Sequence, residues 1–317
     1  MLKVNNLEVT FNLRNGPVKA LHNVTFTINK CERVGLVGES GAGKSVVGFS
    51  ILNLLSIPGF ISKGEVIFDG KDLTKLNYKD LRSIRGNRIS MIFQDPMVTL
   101  NPVLTIGQQM LEVLTTHTKI SPKDATKIVI DKLQKVQIPS PERRLQQYPH
   151  ELSGGMRQRI VIAISLLLNP ELIIADEPTT ALDVTIQAEI MDLLLELCAN
   201  QGVGILLITH DLGIIAKITQ RAIVLYSGSI IEQGPTAQII KNPQHPYTQG
   251  LLKALPQYSH PGRRLNQIPG IMPSLHRVPS GCAFHPRCEH CMEICQKEIP
   301  PLINNNNSQI ACHLMKV

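Results

Sequence analysis

Residues 33–55, "RVGLVGESGAGKSVVGFSILNLL", constrain what this chain can fold into more than any other stretch. An apolar run reads as a buried strand, a glycine-rich loop follows, and a second apolar segment reads as a helix. The loop "GESGAGKS", residues 38–45, fits G-x-x-x-x-G-K-[ST]. Gly38, Gly41 and Gly43 free the backbone, so that successive N–H groups through Glu39, Ser40 and Ala42 point inward at phosphate oxygens. The helix that follows adds its positive N-terminal end. In such a loop Lys44 neutralises the β- and γ-phosphates and Ser45 ligates Mg²⁺. A glycine-rich turn without a ligand would not require the lysine and the serine at these places.

The same logic extends along the chain. "LIIADE", residues 172–177, carries Asp176 to the end of a buried strand, where it can hold the Mg²⁺ hydration shell, and Glu177 follows as candidate general base. "GILLITH" is another strand, ending at His210, which is either structural or placed to meet the γ-phosphate and the attacking water. "RISMIF" is a further short apolar run, consistent with a mostly parallel buried sheet. Residues of about 96–170 read as mainly helical; in "SPKDATKIVIDKLQKV" Ser121 is the N-cap, Pro122 the first helical residue and Asp124 a first-turn acid. "LHNVTFTI" alternates like a half-buried strand, and "RAIVLYSGSIIEQG" reads as a hairpin turning at Ser227–Gly228. After about residue 255 prolines cluster and periodicity fades, which marks a boundary; "NNNN" at 304–307 reads as a loop.

"LSGGMRQR", residues 152–159, is a second anion-binding helix start. A phosphate loop and an LSGG motif in one chain resemble the ATP-binding cassette family. There the signature of one subunit closes on the γ-phosphate held by the phosphate loop of another. The resemblance implies an α/β fold of cassette type, with a RecA-like, mostly parallel sheet core, an antiparallel β subdomain and an α-helical subdomain. It covers about residues 1–255, with the helical subdomain at about 96–170. It implies that Ser153, Gly154 and Gly155 contact ATP in trans. Gln94 in "FQDP" becomes the sensor of Mg²⁺ and nucleotide, Asp183 in "ALD" crosses the dimer interface, and His210 lies in "ITHD". Phe11 is the candidate to stack on adenine, with a core aromatic as its other reading. Met156 stands where many cassettes have Gln, which leaves the three phosphate contacts intact.

"FQDPMVTLNP", "ELSGGMRQR", "DEPTTALDVTIQAEI" and "NPQHPYTQGLL" are similar to the ATPases of bacterial oligopeptide/dipeptide/nickel importers, and the resemblance continues into the tail. It implies ATP and Mg²⁺ as ligands, two membrane permeases, a second related ATPase and an extracytoplasmic substrate-binding protein. It also implies a peripheral position on the cytoplasmic face of the inner membrane. Peptide is the substrate class of that branch; nickel and antimicrobial peptides belong to the same group.

The tail, residues 256–317, is expected to be a small, irregular, Cys-rich extension. "GCAFHPRCEHCMEICQ" holds Cys282, Cys288, Cys291 and Cys295, and Cys312 lies near the end. The rest of the chain has only Cys31 and Cys198. Four thiolates at loop spacing suit zinc or an iron–sulfur cluster. Cys288-x2-Cys291 looks like half a zinc site, with Cys291 otherwise a spare. The importer resemblance implies a [4Fe–4S] cluster on Cys282, Cys288, Cys295 and Cys312. In a reducing compartment stable disulfides are not expected.

Charge leaves several classes open. The formal net charge of +7 suits nucleotides, nucleic acid or an acidic membrane surface. A DNA-associated ATPase of the same superfamily is the competing reading. The phosphate loop and signature lie in one compact cassette, without a long heptad arm between them, so nucleic acid is not an expected partner. The longest apolar runs, such as "IVIAISLLL", fall short of the roughly 18–20 residues a membrane-spanning helix needs.

Overall fold

The computed structural model describes residues 1–179, 184–255, 266–305 and 307–316. The chain forms two compact units: Met1–Asn29 with Arg33–Lys75 and Leu207–Val317, and Lys30–Glu32 with Leu76–Leu206. The boundary expected near residue 255 falls beside residues 256–265, which lie outside the described residues.

The first unit contains two sheet systems. Strands Gly16–Ile28, Leu2–Leu13, Gly59–Phe68 and Lys71–Asp72 pair antiparallel in that order. In Gly16–Ile28 the alternation read from "NVTFTI" is obeyed: Val24, Phe26 and Ile28 are buried while Thr25 and Thr27 are exposed. The other system begins with Arg33–Val37, where every residue after Arg33 is buried. A strand covered on both faces needs such a continuous apolar run. It pairs in parallel with Arg221–Tyr226, Val34 opposite Arg221 and Val37 opposite Val224. Arg221–Tyr226 turns back antiparallel into Ser229–Pro235. The two-residue turn is Ser227 at φ 44° and Gly228 at φ 77°. Both are left-handed, as a hairpin matching the natural strand twist requires.

The tail corrects the loop expected at 304–307. Asn304 and Asn305 belong to strand Ile303–Asn305, which pairs antiparallel with Ser308–Ile310, and that strand lies against Ser229–Pro235. Asn306 lies outside the described residues. Asparagine is a weak strand former, and its pairing here relies on the partner strand Ser308–Ile310 being anchored on Ser229–Pro235; Asn307, at φ 66°, turns the chain as expected. Ala311 N–H donates to the Ile231 carbonyl at 2.8 Å, and Gln233 Nε2 donates to Gln309 Oε1 at 2.6 Å. From residue 266 on, the described part of the extension is mostly irregular, with the short helix Glu293–Lys297, and the strands Ile303–Asn305 and Ser308–Ile310 add to a sheet.

The second unit pairs Ile89–Ile92 in parallel with Leu172–Asp176. Helices dominate between them: Ile106–His117, Pro122–Lys135 and Gly154–Ser165 are the longest. Ser121 caps the second by accepting from Asp124 N–H at 3.2 Å, with Pro122 at the first position as the sequence suggests. Ala125, Val129 and Leu133 form its buried stripe. Lys132 is buried as well. Its ammonium donates to the Leu166 carbonyl at 2.8 Å and to Asn169 Oδ1 at 2.7 Å, closing the end of Gly154–Ser165. A cation at a helix C-terminus satisfies carbonyls that have no intrahelical donor. Strand Gly204–Thr209 then carries the chain back to the first unit.

Candidate functional site

The phosphate loop sits where the sequence places it, between strand Arg33–Val37 and helix Lys44–Ile51. Two glycines are obligatory for identifiable reasons. A Cβ on Gly38 would overlap the Leu225 carbonyl oxygen. Gly43 has φ 100° and caps the helix, with Ala20 O and Leu21 Cδ2 within about 3 Å of where a Cβ would stand. The hairpin turn supports the loop from the side: Gly228 N–H donates to the Ala42 carbonyl at 2.8 Å, and the Gly228 carbonyl accepts from His22 N–H at 2.8 Å. Lys44 is 6% exposed, and its ammonium donates to the Gly38 and Glu39 carbonyls at 2.8 and 3.0 Å. Ser45 is half-buried beside it, Ser40 and Gly41 are exposed, and Ala42 is buried.

Glu39 is held from outside the loop. Its N–H donates to the Tyr247 hydroxyl at 2.8 Å, and its carboxylate pairs with Arg287. Neither partner carried a signal in the sequence, because both lie more than 200 residues away.

Phe11 pairs with Gly59 across antiparallel strands, and its half-buried ring lies against Gly59. Covering a cross-strand glycine is one way an aromatic ring stabilises a sheet. His210 is exposed directly after strand Gly204–Thr209. Asp211 then caps helix Leu212–Ile218, its Oδ1 accepting from Gly213 and Ile214 N–H at 2.6 and 3.4 Å.

In the second unit, strand Leu172–Asp176 is fully buried and ends with Asp176 at 2% exposure. The next residue, Glu177, has φ 44°. A left-handed non-glycine residue is strained, and such strain clusters at functional sites. Gln94, on the loop after strand Ile89–Ile92, donates from Nε2 to Glu177 Oε2 at 2.8 Å. The sequence gives these two residues separate roles; the fold joins them.

Ser153 caps helix Gly154–Ser165, its Oγ accepting from Met156 N–H at 3.4 Å. Ser153 and Gly154 are exposed and Gly155 is half-buried. Gln158, one turn further on, is buried and donates to the Pro178 carbonyl, directly after Glu177. Sequence reasoning missed this tie between signature helix and acidic loop. Asp183 lies outside the described residues.

All seven cysteines are free thiols. Cys282, Cys288, Cys295 and Cys312, the four that the importer resemblance implies, line one small cavity, whereas Cys291 is exposed and does not line it. Cys291 Sγ instead approaches the Met292 carbonyl at 3.6 Å. Burial pushes the Cys282 thiol up to about 11, and burial also raises Cys288 and Cys312. Among the described residues, no group of three or more His, Cys, Asp or Glu side chains is placed to hold a metal ion. Around the cavity His285 Nδ1 donates to the Cys282 carbonyl at 3.0 Å, and His313 Nε2 donates to the Glu298 carbonyl at 2.9 Å.

The ABC transporter family matches residues 21–180, and the oligopeptide/dipeptide transporter C-terminal region matches residues 231–295. The chain is 47% identical over 318 residues to the dipeptide transport ATP-binding protein DppD of Bacillus subtilis, covering 99% of this chain and 94% of that protein. It is 46% identical over 304 residues to the oligopeptide transport ATP-binding protein OppD of the same organism, covering 95% and 85%. Among solved structures, the dimeric post-hydrolysis state of the ATP-binding cassette MJ0796 bound to ADP and Pi has a TM-score of 0.67 at 30% identity. The match covers 74% of this chain and 99% of that one.

Proposed function

The chain belongs to the ABC transporter family, with the C-terminal region of its oligopeptide/dipeptide branch, and from that premise we propose how its residues divide the work. It is the ATP-hydrolysing subunit of a peptide importer. Such a subunit acts with membrane permeases and a substrate-binding protein. No helix among the described residues is long and apolar enough to cross a membrane.

The loop amides and Lys44 bind the β- and γ-phosphates, and Phe11 stacks on the adenine. Ser45, Gln94 and Asp176 would hold Mg²⁺, which neutralises charge on the transferred phosphoryl group. A buried carboxylate at a strand end suits a cation of that kind. Glu177 takes the proton of the attacking water, with Gln94 fixing the carboxylate through the 2.8 Å hydrogen bond, and His210 orients the γ-phosphate.

One observation carries the coupling proposal. The signature residues Ser153 and Gly154 are exposed at the start of a 12-residue helix, open to a second molecule. That second molecule is a related ATPase subunit. Two ATPs stabilise the closed pair, because the contact between signature and γ-phosphate exists only in that state. Hydrolysis and phosphate release then favour opening. Di- and oligopeptides are the transported class. In the complex reconstituted in vesicles, a peptide-loaded binding protein is expected to stimulate ATP turnover, measured as phosphate release. Turnover indifferent to peptides and binding protein would remove the coupling.

The four cavity thiols support a [4Fe–4S] group held by Cys282, Cys288, Cys295 and Cys312. When bound, the group would cross-link segments of the tail that have little apolar core of their own. Anaerobically purified protein is expected to be brown with about four irons per chain. Cys295→Ser should bleach it and Cys291→Ser should not. Stoichiometric zinc without iron would replace the cluster assignment.

A further inference from the structure

The extension that carries the cysteines also grips the phosphate loop. Arg287 lies in the short 3-10 turn His285–Arg287, between Cys282 and Cys288. That turn is set by the cysteine segment: His285 N–H donates to the Cys282 carbonyl at 2.9 Å, and Cys288 N–H donates to the His285 carbonyl at 3.2 Å. From there the guanidinium reaches Glu39, the second residue of the loop, 248 positions earlier. Nη1 donates to Oε2 at 2.7 Å and Nη2 to Oε1 at 3.0 Å, a two-pronged pair. Nε donates to the Pro269 carbonyl at 2.8 Å.

The surroundings make this more than a surface ion pair. The Arg287 side chain is 5% exposed and that of Glu39 29%. The guanidinium lies 5.9 Å from the Tyr226 ring centre and 6.0 Å from that of Phe284. Tyr226, Tyr247 and Phe284 pack edge to face at 4.7, 5.2 and 5.4 Å. Tyr247 takes the Glu39 N–H. Tyr247, just ahead of the tail, therefore fixes the backbone of Glu39 and Arg287 of the tail fixes its side chain, while the Glu39 carbonyl receives Lys44.

We infer that Arg287 is a positioning residue: its clamp on Glu39 holds the phosphate loop in its nucleotide-binding shape, so that the folded cysteine tail sets the affinity for ATP. The inference rests on the loop's role in binding ATP and not on any metal in the tail. Arg287 does not itself touch the nucleotide. Its effect enters through loop order, which favours every bound phosphate alike and so belongs in binding rather than in the chemical step.

The test uses the full-length chain assembled with its transporter partners. Arg287→Met keeps the apolar contacts and removes the fork. It is expected to raise the KM for ATP and the Kd of a fluorescent ATP analogue about tenfold, with kcat changed less than about twofold. Arg287→Lys should recover part of the affinity. Glu39→Gln tests the same contact from the loop side and keeps the size of the residue, so it decides the matter if Arg287→Met fails to fold. The double variant should lose much less than the product of the single losses. Wild-type affinity in folded Glu39→Gln, multiplicative losses in the double variant, or a fall in kcat at constant KM would each overturn the clamp. Lys44→Ala, run in parallel, separates the two levels of the argument. If it retains ATP binding, the phosphate-loop reading fails; if it loses binding while the clamp variants do not, only the clamp fails.

Discussion

Glu177→Gln is expected to bind ATP with undiminished affinity while hydrolysis falls by about two to four orders of magnitude. The substitution is nearly isosteric, and its amide oxygen can still accept from Gln94 Nε2, which donates to Glu177 at 2.8 Å. What it cannot do is accept a proton from water. The left-handed backbone at φ 44° is also undisturbed, since the glutamine replaces a non-glycine residue of the same shape. The ATP-bound closed pair should accumulate, seen as an ATP-dependent increase in complex size by light scattering, while phosphate release nearly stops. Turnover at the wild-type rate would remove Glu177 from the role of base.

Lys44→Ala is expected to lose nucleotide affinity by about a hundredfold or more, and transport with it. A charge-assisted hydrogen bond contributes roughly 1.5–3 kcal/mol, and the lost positive charge beside the β- and γ-phosphates adds to that. The same change strips donors from the Gly38 and Glu39 carbonyls, which accept from Lys44 at 2.8 and 3.0 Å. The loop therefore loses internal support as well as its positive charge. Equilibrium binding of a fluorescent ATP analogue, with a thermal melt as the fold control, measures the effect. Unchanged binding would contradict the cradle.

Both effects concern residues whose importance is visible in the sequence, and the structure shows why they were visible. The loop from Gly38 to Ser45 is contiguous, so its shape follows from local backbone freedom and from the strand and helix on either side. The Ser121 cap and the Ser227–Gly228 turn were legible for the same reason: each depends on neighbours in the chain. "NNNN" misled at Asn304 and Asn305, which pair with Gln309 and Ser308 in a hairpin whose second strand is anchored on Ser229–Pro235, a support that only folding brings near; Asn307, at φ 66°, does turn the chain. The cysteines stand between these cases. Their spacing left Cys291 open as a ligand and only the importer resemblance singled out the other four; the fold leaves Cys291 off the shared cavity.

The sequence by itself determined the phosphate loop, the acidic strand end, the signature helix start and the branch to which the tail belongs. Short-range geometry needs only residue type and order. Tertiary structure alone decided that Gln94 holds Glu177, 83 residues away, and that Arg287 holds Glu39 across 248. No local preference encodes such pairs. They exist because the packing of distant apolar segments has already met the entropic cost of bringing the ends together, leaving a carboxylate beside the group that satisfies it.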